Sequence, residues 1–560
     1  MIAPFGIILV FFGLVCFLAW RLGGYITIAM DSPESFFWLK PLRGVEKLVL
    51  HALGSYYTKS MSWKEYYLSL LSFHVIGILV LFLILTQATN LSITSAFNGA
   101  ISFVTNTDWQ AYIPESSLNW PVAALGLTTQ LFFSAAVGFT MLAPLVRGFR
   151  GEQTSDLGNY WKDLLRFSLY VLLPLSTVLS VALVVTGVPQ SVQGALSYTS
   201  FEGVPSSAPL NLCASFEAIK QLGTNGGGLF RANSAHPFEN PTPFSTLLEL
   251  AALLLIPIAL CRTFGEMAKA PRQAILLIGV MGTLFVLFAT LACTAESHID
   301  PILGTKERSF FHAEGNMEGK ECRIGPFWSV VWTVATTATS NGSVNCALSS
   351  LLPLTGGVPL GLMELGEVVF GGIGSGITGA IVFLLIAVFA AGLMVGRTPE
   401  YLGKKIEASE MKLIAILVIL PATITLIGLA LTLCLPGGMS SLSTRSAHGM
   451  TEALYAFSSA AANNGSSFAG LKADTPLYNI GLGLVMVLVR LGSAAVILRL
   501  AGALASKKRV AASPGTLPTD TFAFGLWYGF VILIVGALNF LPAFTLGPVI
   551  DHLRMEKYGK

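Results

Sequence analysis

Four short runs of small polar residues recur along the chain: Thr105-Asn106-Thr107-Asp108, Gly223-Thr224-Asn225-Gly226, Thr339-Ser340-Asn341-Gly342 and Ala462-Asn463-Asn464-Gly465. They stand at intervals of roughly 120 residues, as one unit used four times would place them. Their chemistry is neutral oxygen: backbone carbonyls, hydroxyls and amides, with glycine allowing backbone angles that a β-carbon forbids. Drawn into a ring, such runs strip water from a cation and replace it with carbonyl oxygens. Small Thr, Ser and Asn side chains keep the ring narrow and hydrogen-bond behind it. No ring of carboxylates accompanies them, so the field suits a large monovalent ion such as K+ better than a divalent one. The runs are unequal. Asp108, followed by Trp109 and Gln110, stands where the others carry glycine, and the second continues through Gly227 and Gly228. That asymmetry suits a mouth that diverts its ion rather than an open pore. Alone, the second run could pass for a phosphate cradle; its three relatives and its surroundings exclude that.

The elements that position these runs are apolar. Of 560 residues, 53% are hydrophobic and 11% charged, against roughly 25% charged in soluble domains. A formal charge of +3 with no long basic run gives nucleic acid nothing to bind. Spanning helices need about 20 apolar residues. Such runs lie near 2–20, 65–86, 121–146, 164–187, 244–261, 273–293, 364–395, 411–435, 477–501 and 522–543. The first has no basic flank before it and no small-residue cleavage site after it, so it reads as a retained helix. The expectation is an all-α polytopic membrane protein with ten transmembrane helices: one leading, two in each of four channel-like helix–pore loop–helix units, and one trailing.

Lys and Arg concentrate in alternate connections: Arg21, Lys40, Arg43, Lys47, Lys59 and Lys64; Arg147, Arg150, Lys162 and Arg166; Arg262, Lys269 and Arg272; Arg397, Lys404, Lys405 and Lys412; Arg499, Lys507, Lys508 and Arg509. The positive-inside rule places that side in the cytoplasm, with both termini and all four polar runs outside. Each run follows a segment too short to cross, near 92–104, 213–222, 326–338 and 447–461, which reads as re-entrant. Ten residues before the glycine position stand Asn98, Phe216, Trp332 and Tyr455, and seven before it Ile101, Ile219, Ala335 and Ser458. The expected organisation is a leading helix and connection over 1–64, units over 65–150, 151–265, 266–405 and 406–510, and a trailing helix and tail over 511–560.

Other residues qualify this plan. Gly371, Gly372, Gly374 and Gly376 interrupt the seventh run; each interior glycine costs a helix about 1 kcal/mol. They serve either close helix packing or a mobile break below the ring. Glu364 and Glu367, three residues apart, would share a helix face and are either interfacial or attractive to the cation. Arg490 falls mid-span after Val485-Met486-Val487-Leu488-Val489. An unpaired arginine there costs about 3 kcal/mol or more, so it faces the bundle interior, as an ion-pair partner or as a positive barrier below the ring. His74, His236 and His312 have no metal-ligand spacing and read as packing or lone polar residues. The seven cysteines form no C-x-x-C; Cys293 and Cys322 flank one polar loop and can pair if it faces an oxidising space. Lys507-Lys508-Arg509 reads as a cytoplasmic anchor, and Arg397 to Glu400 with Lys404 and Lys405 as an anchor or a partner contact. No G-x-x-x-x-G-K-[ST] loop and no Asp-Lys-Thr-Gly string exists, so the chain carries no ATP-hydrolysing machinery of its own.

Several stretches carry a specific resemblance: Thr105 to Gln110, Leu222 to Gly228 with Ser234 to Pro241, Thr339 to Gly342, Gly392 to Gly403, and Asn463 to Gly465. Through them nearly the whole chain resembles the potassium-binding subunits of bacterial Kdp potassium-transporting ATPases, the KdpA family. That family is similar to the Trk, Ktr and HKT potassium transporters. The resemblance implies K+ ligands at Asn106, Thr107, Thr224, Asn225, Ser340, Asn341, Asn463 and Asn464, largely through backbone carbonyls, with Gly226, Gly342 and Gly465 completing the runs and Asp108 and Gln110 beside them. Asn341 stands where some relatives carry cysteine. It further implies a gate at the third unit's glycines, Arg490 as a barrier, and ions leaving sideways into a P-type ATPase catalytic subunit, KdpB. Small accessory subunits, KdpC and KdpF, and residence in the bacterial inner membrane complete the expectation. No cofactor is called for beyond K+ as transported ion. The alternative is a free-standing potassium channel or ion-coupled transporter of the Trk type.

Overall fold

The computed structural model describes residues 2–52, 54–297, 316–511 and 516–558. Among these, ten helices are long and apolar enough to cross a membrane. In chain order the principal helices are α1 (Ile2–Asp31), α2 (Lys40–Ala52), α3 (Trp63–Ala88), α4 (Ile93–Val104), α5 (Val122–Arg150), α6 (Tyr160–Val185), α7 (Cys213–Leu222), α8 (Pro243–Met267), α9 (Pro271–Glu296), α10 (Gly325–Ala338), α11 (Pro353–Glu364), α12 (Ser375–Val395), α13 (Ala408–Cys434), α14 (Ala447–Ala462), α15 (Pro476–Ser506) and α16 (Phe522–Met555). Two antiparallel hairpins are the only paired strands among the described residues: β1 (Ala195–Thr199) with β2 (Pro205–Pro209), and β3 (Glu400–Tyr401) with β4 (Lys404–Lys405).

Local sequence sets many of the ends. Ser62 and Glu65 close a capping box on α3, and Thr242 and Ser245 close one on α8. Proline opens α8, α9, α11 and α15, where its missing N–H has no helical partner to lose. Packing selects small residues at the closest crossings. A β-carbon on Gly148 would stand 2.5 Å from the Ala501 carbonyl, so α5 and α15 meet backbone to backbone. At the α1–α8 crossing, Thr263 Oγ1 donates to the Gly23 carbonyl at 3.1 Å and Arg262 Nη1 to that of Trp20 at 2.6 Å.

Three spans depart from the expected limits by ten residues or more: the first, the seventh and the last, which runs on from the expected 543 to Met555. The first helix continues to Asp31 instead of ending near residue 20, because 22–30 stays largely apolar and no proline intervenes before Pro33; Arg21 therefore lies within α1, over the Phe17 ring at 5.6 Å. The seventh begins at Ser375, because 365–374 leaves the helical conformation, with left-handed φ at Gly366, Glu367, Phe370, Gly371 and Gly374. Ahead of it lies α11, which the apolar pattern did not reveal.

Candidate functional site

The short helices α4, α7, α10 and α14 end at the four polar runs, and their ends share one geometry. The second residue of each run is left-handed: Asn106 at φ 62°, Thr224 at 50°, Ser340 at 51° and Asn463 at 55°. The third residue's N–H reaches back five residues: Thr107 to the Ser102 carbonyl (2.9 Å), Asn225 to Lys220 (2.9 Å), Asn341 to Thr336 (2.8 Å) and Asn464 to Ser459 (2.9 Å). This is the Schellman termination of a helix. A left-handed non-glycine residue costs about 1–2 kcal/mol, so its recurrence at four matched positions marks a constrained shape. The negative ends of four helix dipoles converge on the runs.

Around the ring, each run touches the next. Asn106 Nδ2 donates to the Thr224 carbonyl at 2.8 Å, and Gly228 N–H to Gln110 Oε1 at 2.8 Å. A β-carbon on Gly226 would lie 2.9 Å from the Asn341 carbonyl oxygen; one on Gly342 would overlap that of Asn464, and one on Gly465 that of Thr107. Asn463 Nδ2 donates to Thr107 Oγ1 at 2.8 Å. The order one–two–three–four–one is thus closed. The fourth position is less uniform: Asp108, Gly342 and Gly465 take positive φ (57°, 86° and 95°), whereas Gly226 does not. Asp108 is buried; its Oδ2 accepts the Gly226 N–H at 3.3 Å, and its Oδ1 has no hydrogen-bond partner among the described residues.

Behind the ring, each run is backed differently. Trp332 Nε1 donates to the Ser343 carbonyl at 3.1 Å, and the Tyr455 hydroxyl meets Ser466 Oγ at 2.8 Å, so the matched aromatic of two units ties its helix to the residue after its own glycine. Asn98, in the same register, donates to the Asn479 carbonyl at 2.8 Å. Behind the second run lies a fully buried ionic cluster, Glu217, Lys220, Glu239 and Glu249 with Gln221. Lys220 Nζ is 2.7 Å from Glu217 Oε1 and 2.9 Å from Glu239 Oε2. Gln221 Nε2 donates to Glu249 Oε2 at 3.1 Å, and its Oε1 accepts from Asn341 and Ser343 of the third run at 3.3 and 3.2 Å. The sequence reading missed this cluster; its one signal is Glu217 and Lys220, three residues apart in an otherwise apolar short helix.

Below the ring is a cavity of about 180 Å³ bordered by Asn106, Ser340 and Asn463, by Glu364 and Glu367, and by Arg490. The glycine break is wired to the ring: Ile373 N–H donates to Thr224 Oγ1 at 3.2 Å, Gly371 N–H to the Ala338 carbonyl at 2.7 Å, and Asn464 Nδ2 to Glu367 Oε1 at 2.8 Å. Gly374 and Gly138 bring the break and α5 together so closely that neither has room for a side chain. Glu364 and Glu367 do not share a helix face, because α11 ends at Glu364 and Glu367 is left-handed at φ 49°. Arg490 is 8% exposed and makes no hydrogen bond or ion pair among the described residues. His74 bonds only its own helix, at the Leu70 carbonyl (2.9 Å). His236 stacks on Phe230 (centroids 3.8 Å apart), and burial holds its imidazole below the usual range. His312 lies outside the described residues. Cys293 and Cys322 are both free thiols.

This architecture is that of a Trk-type potassium transporter fold. The TrkH potassium transporter from Vibrio parahaemolyticus superimposes with a TM-score of 0.50 at 12% identity, covering 78% of this chain and 84% of that one. The model of the family described as potassium-transporting ATPase A subunit, KdpA, matches residues 9–553. Potassium-transporting ATPase potassium-binding subunits are similar throughout: that of Herpetosiphon aurantiacus is 46% identical over 543 residues (92% of this chain, 94% of that protein), and that of Pseudomonas aeruginosa 44% over 560 residues (98% of each). The chain belongs to the KdpA family.

Proposed function

We propose that the four-run ring is a K+ filter, and that this chain is the potassium-binding, non-hydrolytic subunit of an ATP-driven importer. The names of its relatives support K+ binding within a potassium-transporting ATPase. The single observation that carries the filter reading is the fourfold Schellman termination closed into a ring. Carbonyls held by helix ends and left-handed residues are preorganised, so the ion exchanges water for oxygen without reshaping the loop. The bound ion's ligands come from Asn106, Thr107, Thr224, Asn225, Gly226, Ser340, Asn341, Gly342, Asn463, Asn464 and Gly465, with Asp108 and Gln110 holding the first run against the second.

K+ enters from outside, binds in the ring and reaches the cavity beneath. There Arg490, a positive charge with no partner among the described residues, and the break from Gly371 to Gly376 oppose direct passage inward. The ion then leaves sideways to a P-type ATPase catalytic subunit, whose phosphorylation cycle supplies the energy; KdpB with KdpC and KdpF is the assembly that fits. The chain sits in the bacterial inner membrane with both termini outside, as its charge distribution favours. A free-standing channel or ion-coupled transporter has the fold likeness to TrkH in its favour. Copurification of the chain with a P-type ATPase separates the two.

The test is rubidium-86 binding by the purified complex. Gly342→Ala, with no room for its methyl beside Asn464, is expected to weaken binding by about a hundredfold or more. Unchanged binding would falsify the filter. Arg490→Ala is expected to open a K+ leak in proteoliposomes without ATP; a tight membrane there removes the barrier role.

A further inference from the structure

The filter reading leaves the buried charges behind the second run without a task. Lys220, which can only donate, gives a hydrogen bond to Asn233 Oδ1 at 3.0 Å. The same oxygen accepts the Ser234 N–H at 2.8 Å and the N–H of Val344, beyond the third run, at 3.4 Å. With its oxygen claimed by three donors, the Asn233 carboxamide has one orientation, and its Nδ2 donates to the Gly226 carbonyl at 2.8 Å. Glu239 completes the frame: Oε2 pairs with Lys220 at 2.9 Å, while Oε1 accepts the N–H groups of Leu229 and Phe230 at 2.8 and 3.0 Å. Burying such charges is costly, and apolar side chains would anchor a helix end as well. What the charges add is direction, because only one face of the amide can then meet Gly226.

We infer that Asn233, oriented by Lys220 and Glu239, is a positioning residue that sets the ion discrimination of the second run by holding the Gly226 carbonyl. The inference rests on the filter reading. Gly226 is the fourth-position residue that lacks the positive φ of Asp108, Gly342 and Gly465, so this corner of the ring has a conformation of its own and an amide dedicated to it. A donor on that carbonyl fixes its direction and shares its lone-pair density with the ion. Without the donor, the carbonyl is free to turn and to follow ions of another radius.

The experiment measures K+ and Rb+ uptake against concentration in cells that depend on the assembled transporter. Asn233→Ala is expected to raise half-saturating K+ about tenfold and to shift the K+/Rb+ ratio, with maximal rate held within about twofold. An unchanged ratio, or a fall in maximal rate alone at normal abundance, overturns the inference. Asn233→Ser guards against failure to fold, since its hydroxyl fits the space but cannot bridge Lys220 to Gly226; a wild-type ratio there also overturns it. The charge-balanced pair Lys220→Met with Glu239→Gln is expected to give the same ratio shift as Asn233→Ala, whereas a merely structural cluster would lower abundance and leave the ratio alone. Gly342→Ala is run alongside. A shift there with none at Asn233 overturns only the positioning role; a shift at neither overturns the filter as well.

Discussion

Behind the fourth run the tie to its own helix is neutral, Tyr455 on Ser466 and Ser466 Oγ on Asn464 Oδ1 at 2.5 Å, with Glu367 of the glycine break accepting from Asn464 Nδ2 at 2.8 Å but no cation beside it among the described residues. The second is backed by an ammonium and carboxylates with no exposure to solvent. The two backbones enter in the same way, through left-handed Asn463 and Thr224, and diverge at the next turn, where Gly465 keeps a positive φ and Gly226 does not. Neutral backing can be dismantled one hydrogen bond at a time, each worth about 1 kcal/mol. Ionic backing behaves as a unit, because removing one charge strands its partners in a low-dielectric interior. One ring therefore combines corners that tolerate adjustment with a corner that does not. On the proposed filter reading, such inequality suits an ion that turns aside at one place.

The largest effect separates the glycines. Gly465→Ala places a methyl on the Thr107 carbonyl at a φ of 95°, whereas at Gly226 the nearest atom stands 2.9 Å away at an ordinary φ. Uptake of rubidium-86 is expected to fall by about a hundredfold or more in Gly465→Ala and by a smaller factor in Gly226→Ala. The reverse order would show that the ionic backing of the second corner outweighs the closer contact and positive φ at Gly465, and would sharpen the comparison.

Next in size is charge removal. Lys220→Met leaves Glu217 and Glu239 buried without their cation and is expected to destabilise the chain by about 3–5 kcal/mol. Thermal unfolding of the purified protein in detergent reads this directly. Adding Glu239→Gln should recover part of the loss; if the single variant melts like the parent, the cluster is not an ionic unit.

Much of this contrast lay beyond a reading of the sequence, for physical reasons. Period and composition placed the four runs, and the expected short segments at 92–104, 213–222, 326–338 and 447–461 coincide closely with α4, α7, α10 and α14, because a helix too short to cross still carries apolar periodicity. The break was visible as Gly371 to Gly376, but its hydrogen bonds to Thr224, Ala338 and Asn464 join residues far apart in the chain. The ionic cluster is not legible in the sequence because Glu239, in a turn, joins Glu217 and Lys220 of α7 and Glu249 of α8, and no period links a turn residue to two separate helices. Spacing puts Glu364 and Glu367 on one helix face, and the left-handed Glu367 cancels that spacing at once.

Smaller effects probe the neutral corners. Trp332→Phe keeps most of the packing and leaves the Ser343 carbonyl without its indole donor, so a loss of about 1–2 kcal/mol is expected by denaturant unfolding. Tyr455→Phe should cost less, about 0.5–1 kcal/mol, because Ser466 keeps two other bonds: its N–H and its Oγ both reach Asn464 Oδ1, at 3.1 and 2.5 Å. The side chain that loses its partner is then still satisfied, and Phe468, tilted against Tyr455 with centroids 4.7 Å apart, keeps the ring in place. The informative readout is the pair of measurements together. If Tyr455→Phe costs as little as expected and leaves rubidium affinity untouched, the fourth corner is the adjustable one. A tenfold affinity loss from that single hydroxyl would mean that neutral backing grips its run as tightly as the ionic cluster does, and the difference between the two corners would reduce to their glycines.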